Sequence, residues 1–200
     1  QKPLPRQING HAVFDLLDPA KDVDCFSPHN VGLLTQGRAQ LLPCTPAGVM
    51  EILKYYNVSV EGKSALVIGR SDIVGKPMAT LLTLANATVT LAHSKTSDLA
   101  EHIAHSNLVV AAMGKDRFLK GSLPWKKDCV VIDVGMHRSS ASSLSGELSG
   151  DVDFDAVARK VAAITPVPGG VGPMTIEMLL LNTVHAAFVR LGFSLENSSL

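Results

Sequence analysis

The chain has 200 residues, and its 18 Lys plus Arg balance 18 Asp plus Glu, so the formal net charge is zero. That balance argues against a nucleic-acid binder, which is normally basic, and an apolar fraction of 46% excludes a disordered chain. The size suits one domain, or one domain and a piece of another, and no apolar run nears the roughly 20 residues of a membrane helix.

The opening Gln1-Lys2-Pro3-Leu4-Pro5 has neither an initiator Met nor a signal segment, so a processed or truncated N-terminus is expected. Residues 8–17 predict a short helix. Lys21-Asp22-Val23-Asp24 after Asp18-Pro19 reads as a polar loop. Thr45-Pro46 predicts a helix start, with Thr45 as N-cap and Pro46 in the first turn, and Val49, Ile52, Leu53 and Tyr56 then recur at helical spacing to about Asn57. From residue 64 short apolar runs alternate with helical stretches. Strands are predicted over 64–68, 88–92, 108–112, 129–134 and 163–165, and helices over 74–84 and 98–105. Such alternation implies α/β architecture, a Rossmann-like doubly wound parallel sheet covered on both faces, here joined to part of a second α/β domain. Residues 139–150 hold six serines and read as a surface loop. A Gly/Pro loop over 166–173 leads into a long apolar helix over 174–191.

Three segments carry chemistry. In Val67-Ile68-Gly69-Arg70-Ser71-Asp72-Ile73-Val74-Gly75-Lys76-Pro77 a strand enters a Gly turn and then a helix, the place where a doubly wound sheet holds a dinucleotide pyrophosphate. The spacing departs from G-x-G-x-x-G, and an ordinary tight turn is the competing reading. The next strand ends in His93-Ser94-Lys95-Thr96, with no carboxylate before Asp98. An NAD site places Asp or Glu there for the ribose 2′-hydroxyl. Ser94, Lys95 and the nearby Arg70 favour a 2′-phosphate instead, and therefore NADP, although Ser94 and Lys95 also suit a simple turn cap. Thr165 to Thr175 packs three prolines and three glycines into eleven residues ahead of a helix, a rigid loop open to a ligand. Asp22 and Asp24 suit either acid/base work or a solvated turn, and spacing alone favours the turn. His102 and His105 lack a third metal ligand nearby and read as exposed helix residues, so no metal site is expected. Cys129 reads as core. The three scattered cysteines, Cys25, Cys44 and Cys129, fit no disulfide framework and read as reduced thiols of an intracellular protein.

Taken in order, Pro3-Leu4-Pro5, Lys21-Asp22-Val23-Asp24, Pro43-Cys44-Thr45-Pro46-Ala47-Gly48, Gly69-Arg70-Ser71 with Val74-Gly75 and Pro77, His93-Ser94-Lys95-Thr96, Gly150-Asp151-Val152-Asp153-Phe154 and Pro166-Val167-Pro168-Gly169-Gly170-Val171-Gly172-Pro173-Met174-Thr175 resemble the bifunctional methylenetetrahydrofolate dehydrogenase/cyclohydrolase family, the FolD type. The resemblance implies hydride transfer from 5,10-methylenetetrahydrofolate to NADP, and then hydrolysis of the methenyl product to 10-formyltetrahydrofolate. It implies a catalytic role for Gln1, and folate contacts from Asp24, Gly170, Val171 and Pro173. Cofactor contacts are implied for Thr45, Gly69, Arg70, Ser71, Ser94, Gly172 and Thr175. It also implies a homodimer in the cytoplasm or a mitochondrion, with folate as partner and neither nucleic acid nor membrane. A carboxylate at Asp24 suits the paired N–H donors of a 2-amino-pyrimidinone edge.

The family's Tyr-x-x-x-Lys is absent, since Ser59 and Val60 stand four residues beyond Tyr55 and Tyr56. Lys2 stands where the family has an apolar residue, and Cys25 where it usually has Gly. The expected organisation is part of an N-terminal folate domain over 1–45, an NADP-binding domain over 46–173, and a C-terminal helix over 174–200 packed back on the first. The rival readings are a truncated nucleotide-binding product without activity, and an NADP oxidoreductase for another substrate.

Overall fold

The computed structural model describes residues 4–138 and 148–193. Residues 1–3, 139–147 and 194–200 lie outside the described residues, and with them Gln1 and most of the serine-rich stretch over 139–150. The elements run α1 (Gly10–Asp15), α2 (Pro28–Thr35), α3 (Cys44–Tyr55), β1 (Ser64–Ile68), α4 (Gly75–Leu84), β2 (Thr88–Ala92), α5 (Leu99–His105), β3 (Leu108–Ala111), β4 (Val130–Asp133), β5 (His137–Arg138), β6 (Leu148–Ser149), α6 (Phe154–Val157), β7 (Ala163–Ile164) and α7 (Val171–Arg190).

The main sheet is parallel throughout, in the order β2-β1-β3-β4-β7. Alternation along the strands divides the core in two. Ala65, Val67, Leu108, Val110 and Ile132 face a layer built from α3, α4 and Val171. Leu66, Ile68, Val109, Ala111 and Val131 face Ile103 of α5 and Val157 of α6. A strand buried on both faces needs the unbroken apolar runs seen in β1 and β3. The α/β architecture with a Rossmann-like doubly wound sheet is as expected.

Several boundaries differ from expectation. The α3 helix starts at Cys44 with Pro43 as its N-cap residue, so Thr45 lies in the first turn and is not the cap. Pro43 and Pro46 are both compatible with that start, because the first turn needs no intrahelical N–H donor. The α7 helix starts at Val171, three residues early, so Gly172 and Pro173 form its first turn. Asp98 is the N-cap residue of α5 in left-handed conformation, with φ 51°, and makes no side-chain cap bond. The Ser27-Pro28 start of α2 has the signature of a helix opening, with Ser27 Oγ accepting from Asn30 N. His137–Arg138 and Leu148–Ser149 form a short antiparallel ribbon. Among the described residues, no helix is long and apolar enough to cross a membrane, and no group of three or more His, Cys, Asp or Glu could hold a metal ion.

Candidate functional site

β2 and β3 lie on opposite sides of β1, so the carboxyl ends of β1 and β3 open a crevice at the point where the winding reverses. Gly69 ends β1. Its N–H donates to the Ala92 carbonyl at 2.9 Å, and Ala112 N–H donates to the Ile68 carbonyl at 2.8 Å. Gly69 holds φ 129°, and a Cβ there would run into the Ala112 carbonyl; a Cβ at Gly75 would run into the Gly69 carbonyl. Two bare backbones therefore bring the start of α4 against the end of β1, as the sequence pattern requires. Ser71 Oγ accepts from Val74 N–H at 3.2 Å and Gly75 N–H at 3.3 Å. It caps α4 first, and its own proton remains to donate.

The β1–β2 register pairs Ile68 with Ala92, so Arg70 and Ser94 each stand two residues past a paired position, on adjacent strands. Both are exposed. Lys76 is engaged by Asp72 at 2.6 Å, while no ion pair is formed by Arg70 among the described residues. The turn after β2 is closed by His93 and Thr96. His93 N–H donates to Thr96 Oγ1 at 2.9 Å, and Lys95 N–H to His93 Nδ1 at 3.1 Å. Ser94 and Lys95 are thus not the groups that cap it.

The far side of the crevice is organised by two buried carboxylates whose spacing in sequence gives no sign of them. Asp151 accepts from the consecutive N–H groups of Met113, Gly114 and Lys115 at 2.7, 3.0 and 2.8 Å, and pairs with His137 Nε2 at 2.8 Å. Asp133 accepts from the N–H groups of Gly135, Asp151 and Val152, each at 2.9 Å. Burial pushes Asp133 up to about 6 against these bonds. A Cβ at Gly150 would run into the Asp133 carboxylate, which gives that glycine in Gly150-Asp151 its physical reason.

The Gly/Pro loop leaves β7 beside this pair, and Thr165 Oγ1 accepts from Asp133 N–H at 2.8 Å. Gly170 is needed where a Cβ would run into the Pro166 carbonyl. Val171 packs into the core, so only its backbone is left to face a ligand. Gly172 and Pro173 follow on α7. Thr175 Oγ1 donates to the Val171 carbonyl at 3.2 Å and stands 3.1 Å from Thr45 Oγ1, which joins α7 to α3.

Asp22 and Asp24 part company. Asp22 is only 2% exposed and accepts from Phe26 N–H, Ser27 N–H and Asn30 Nδ2 at 2.9, 2.7 and 3.0 Å. The solvated-turn expectation fails for Asp22, because α2 folds back over it. Asp24 is half-buried and meets the Cys44 thiol, which burial first and Asp24 second push up to about 12. Cys25 adopts φ 60°, the left-handed region that explains a usual Gly there, and its thiol donates to the Leu41 carbonyl at 3.3 Å. Gln1 lies outside the described residues.

Residues 43–191 match the family model for the tetrahydrofolate dehydrogenase/cyclohydrolase, NAD(P)-binding domain. The chain belongs to this family. Among FolD-type relatives, it is 54% identical over 187 residues to the bifunctional protein FolD of Streptococcus thermophilus, covering 94% of this chain and 64% of that protein. The chain thus spans somewhat under two thirds of the length of the curated relatives it matches. The FolD structure from Campylobacter jejuni superposes with a TM-score of 0.89 at 48% identity, covering 95% of this chain and 66% of that one. The FolD structure from Trypanosoma brucei, described as a complex with NADP cofactor and inhibitor, superposes with a TM-score of 0.88 at 41% identity, covering 97% and 67%.

Proposed function

We propose that the protein containing this chain is an NADP-dependent methylenetetrahydrofolate dehydrogenase and methenyltetrahydrofolate cyclohydrolase, oxidising 5,10-methylenetetrahydrofolate and hydrolysing the methenyl product to 10-formyltetrahydrofolate. One observation carries the cofactor half: Arg70 and Ser94 each follow by two residues the paired ends of β1 and β2, and are exposed, with no carboxylate between β2 and the exposed Asp98. The Arg70 guanidinium, the Ser94 hydroxyl and the remaining Ser71 proton fit a phosphorylated ribose. NADP, when bound, supplies the hydride acceptor. The chain's own part is to orient it through Gly69, Arg70, Ser71, Ser94, Gly172 and Thr175, with Thr45 steadying Thr175. Asp24, Gly170, Val171 and Pro173 are the proposed folate contacts, and Gln1 the proposed catalytic group. Asp24 accepts the paired N–H donors of the pteridine ring.

The proposed organisation stays 1–45, 46–173 and 174–200. It is supported by the bonds from Asn182 of α7 to the carbonyls of Val23 and Leu42. The homodimer and the choice between cytoplasm and mitochondrion are proposed from the family resemblance alone. An intracellular setting is supported by three free cysteines. The test is a titration of the native protein with NADP and with NAD. Replacing Arg70 and Ser94 together by Ala should weaken NADP by about a hundredfold, at roughly 1.4 kcal/mol for each lost contact, and leave NAD nearly unchanged. Equal losses for both cofactors would overturn the assignment.

A further inference from the structure

Seven residues separate Thr175 from Asn182 on α7. That is two turns, so both project from one face, about 10 Å apart along the axis. The helix's buried residues, Val171, Met178, Asn182 and Ala186, lie on that face, and Met178 packs against Cys44 and Ala47 of α3. An amide in an apolar stripe is costly unless its donors are used. Here both are used: Asn182 Nδ2 donates to the Val23 carbonyl at 2.7 Å and the Leu42 carbonyl at 2.8 Å, and lies 3.6 Å from Cys44 Sγ. Two acceptors on one side fix which way the amide points. The Val23 carbonyl belongs to the peptide that enters Asp24. Cys44 donates to that same carbonyl at 3.4 Å and meets the Asp24 carboxylate. One side chain on α7 therefore holds both segments that flank Asp24.

We propose that Asn182 is a positioning residue for the Asp24 carboxylate. The helix that begins in the Gly170–Pro173 loop carries, two turns on from Thr175, the amide that sets where Asp24 stands. The distance between the folate-recognising carboxylate and the loop beside the cofactor is thereby fixed by one rigid element. A smaller or apolar residue at 182 would still let α7 pack on α3, but the Leu42 carbonyl would lose its Asn182 donor, the Val23 carbonyl would keep only the weak Cys44 thiol, and the loop would be loosened. The inference rests on the reading of Asp24 as the folate-recognising group.

The test uses the native protein containing this chain, with tetrahydrofolate and NADP affinities measured by titration and folding followed by thermal unfolding. Asn182→Asp keeps the shape and turns both donors into acceptors, and Asn182→Leu removes them. Each should weaken tetrahydrofolate roughly ten- to a hundredfold while NADP stays within about twofold. Asn182→Gln, which keeps the amide on a longer arm, should recover part of the loss. If Asn182→Asp does not fold, Asn182→Ser, which keeps a single donor, carries the same comparison. Equal losses for both ligands, or no loss for either, would overturn the positioning role. Asp24→Asn run alongside separates the two readings. If it leaves tetrahydrofolate affinity unchanged, the role of Asp24 falls. If it weakens tetrahydrofolate while the Asn182 variants do not, only the role of Asn182 falls. The double variant Asn182→Leu with Asp24→Asn should bind tetrahydrofolate no more weakly than Asp24→Asn alone, and additive losses would count against the coupling.

Discussion

The β1–β2 end of the crevice and the end of the molecule around Asp24 are built by opposite means. At the β1–β2 end the backbone does the positioning: Gly69 and Gly75 remove side chains so that strand and helix touch, and Arg70, Ser94 and Lys95 stand exposed above them. At the Asp24 end side chains do it: Asp22, Asn30, Asn182 and Cys44 form a buried polar network, with half-buried Asp24 at its rim. The first end tolerates exposure because it rests on shape, and a single added methyl group breaks it. The second tolerates changes of volume better than the loss of a hydrogen-bond partner, since an unpaired buried donor keeps its full desolvation cost.

The largest effect expected is at the first end. Gly69→Ala places a Cβ against a carbonyl in a backbone conformation that side chains avoid, and should destabilise the protein by about 5 kcal/mol, read from the denaturant midpoint. A cost near that of an ordinary surface change would mean that the turn relaxes freely and that the contrast between the ends is false. At the second end Asp22→Ala leaves Phe26 N–H, Ser27 N–H and Asn30 Nδ2 without their acceptor and should cost about 4 kcal/mol. Unchanged stability in the same measurement would return Asp22 to the role of a solvated turn residue.

The third effect is smaller and sharpens the comparison with a buried group outside both ends, Asp133 at the end of β4. Burial raises Asp133 from 3.8 to about 6, so between those values the folded protein holds the proton more tightly than the unfolded chain. Stability should therefore fall as pH rises from about 4 to about 6 and show no further loss from this group above that, a change of about 3 kcal/mol when complete. Unfolding midpoints followed across that window should show the slope in the native protein and lose it in Asp133→Asn. An identical slope in both would assign it to other groups.

The sheet was legible because its signals are local. The predicted spans of β1 and β2 coincide with the observed ones, since an apolar run bounded by polar residues and Gly has few other uses. The glycines after β1 were legible as well, because only a close approach needs two of them there. Helix starts were less so. Thr45-Pro46 looks like a cap, yet Pro43 already has the dihedral angles that open α3, and Thr45 is left to face Thr175 across the helix pair. Asp22 and Asp24 look alike in sequence and differ only because α2 closes over the first. That helix was not among the predicted elements, although Ser27-Pro28 opens it as a cap and first-turn proline would. Nothing local marks Asn182, whose partners lie 159 and 140 residues away.

The Asp151 carboxylate has one more consequence. Three consecutive N–H groups after β3 form the kind of concavity that attracts anions, and here the protein fills it with a negative charge of its own. With that side satisfied from within, the unspent attraction for negative charge is concentrated beyond β1 and β2. Asp151 is itself fully buried, so it acts as an internal plug that closes this stretch of backbone to anions from outside.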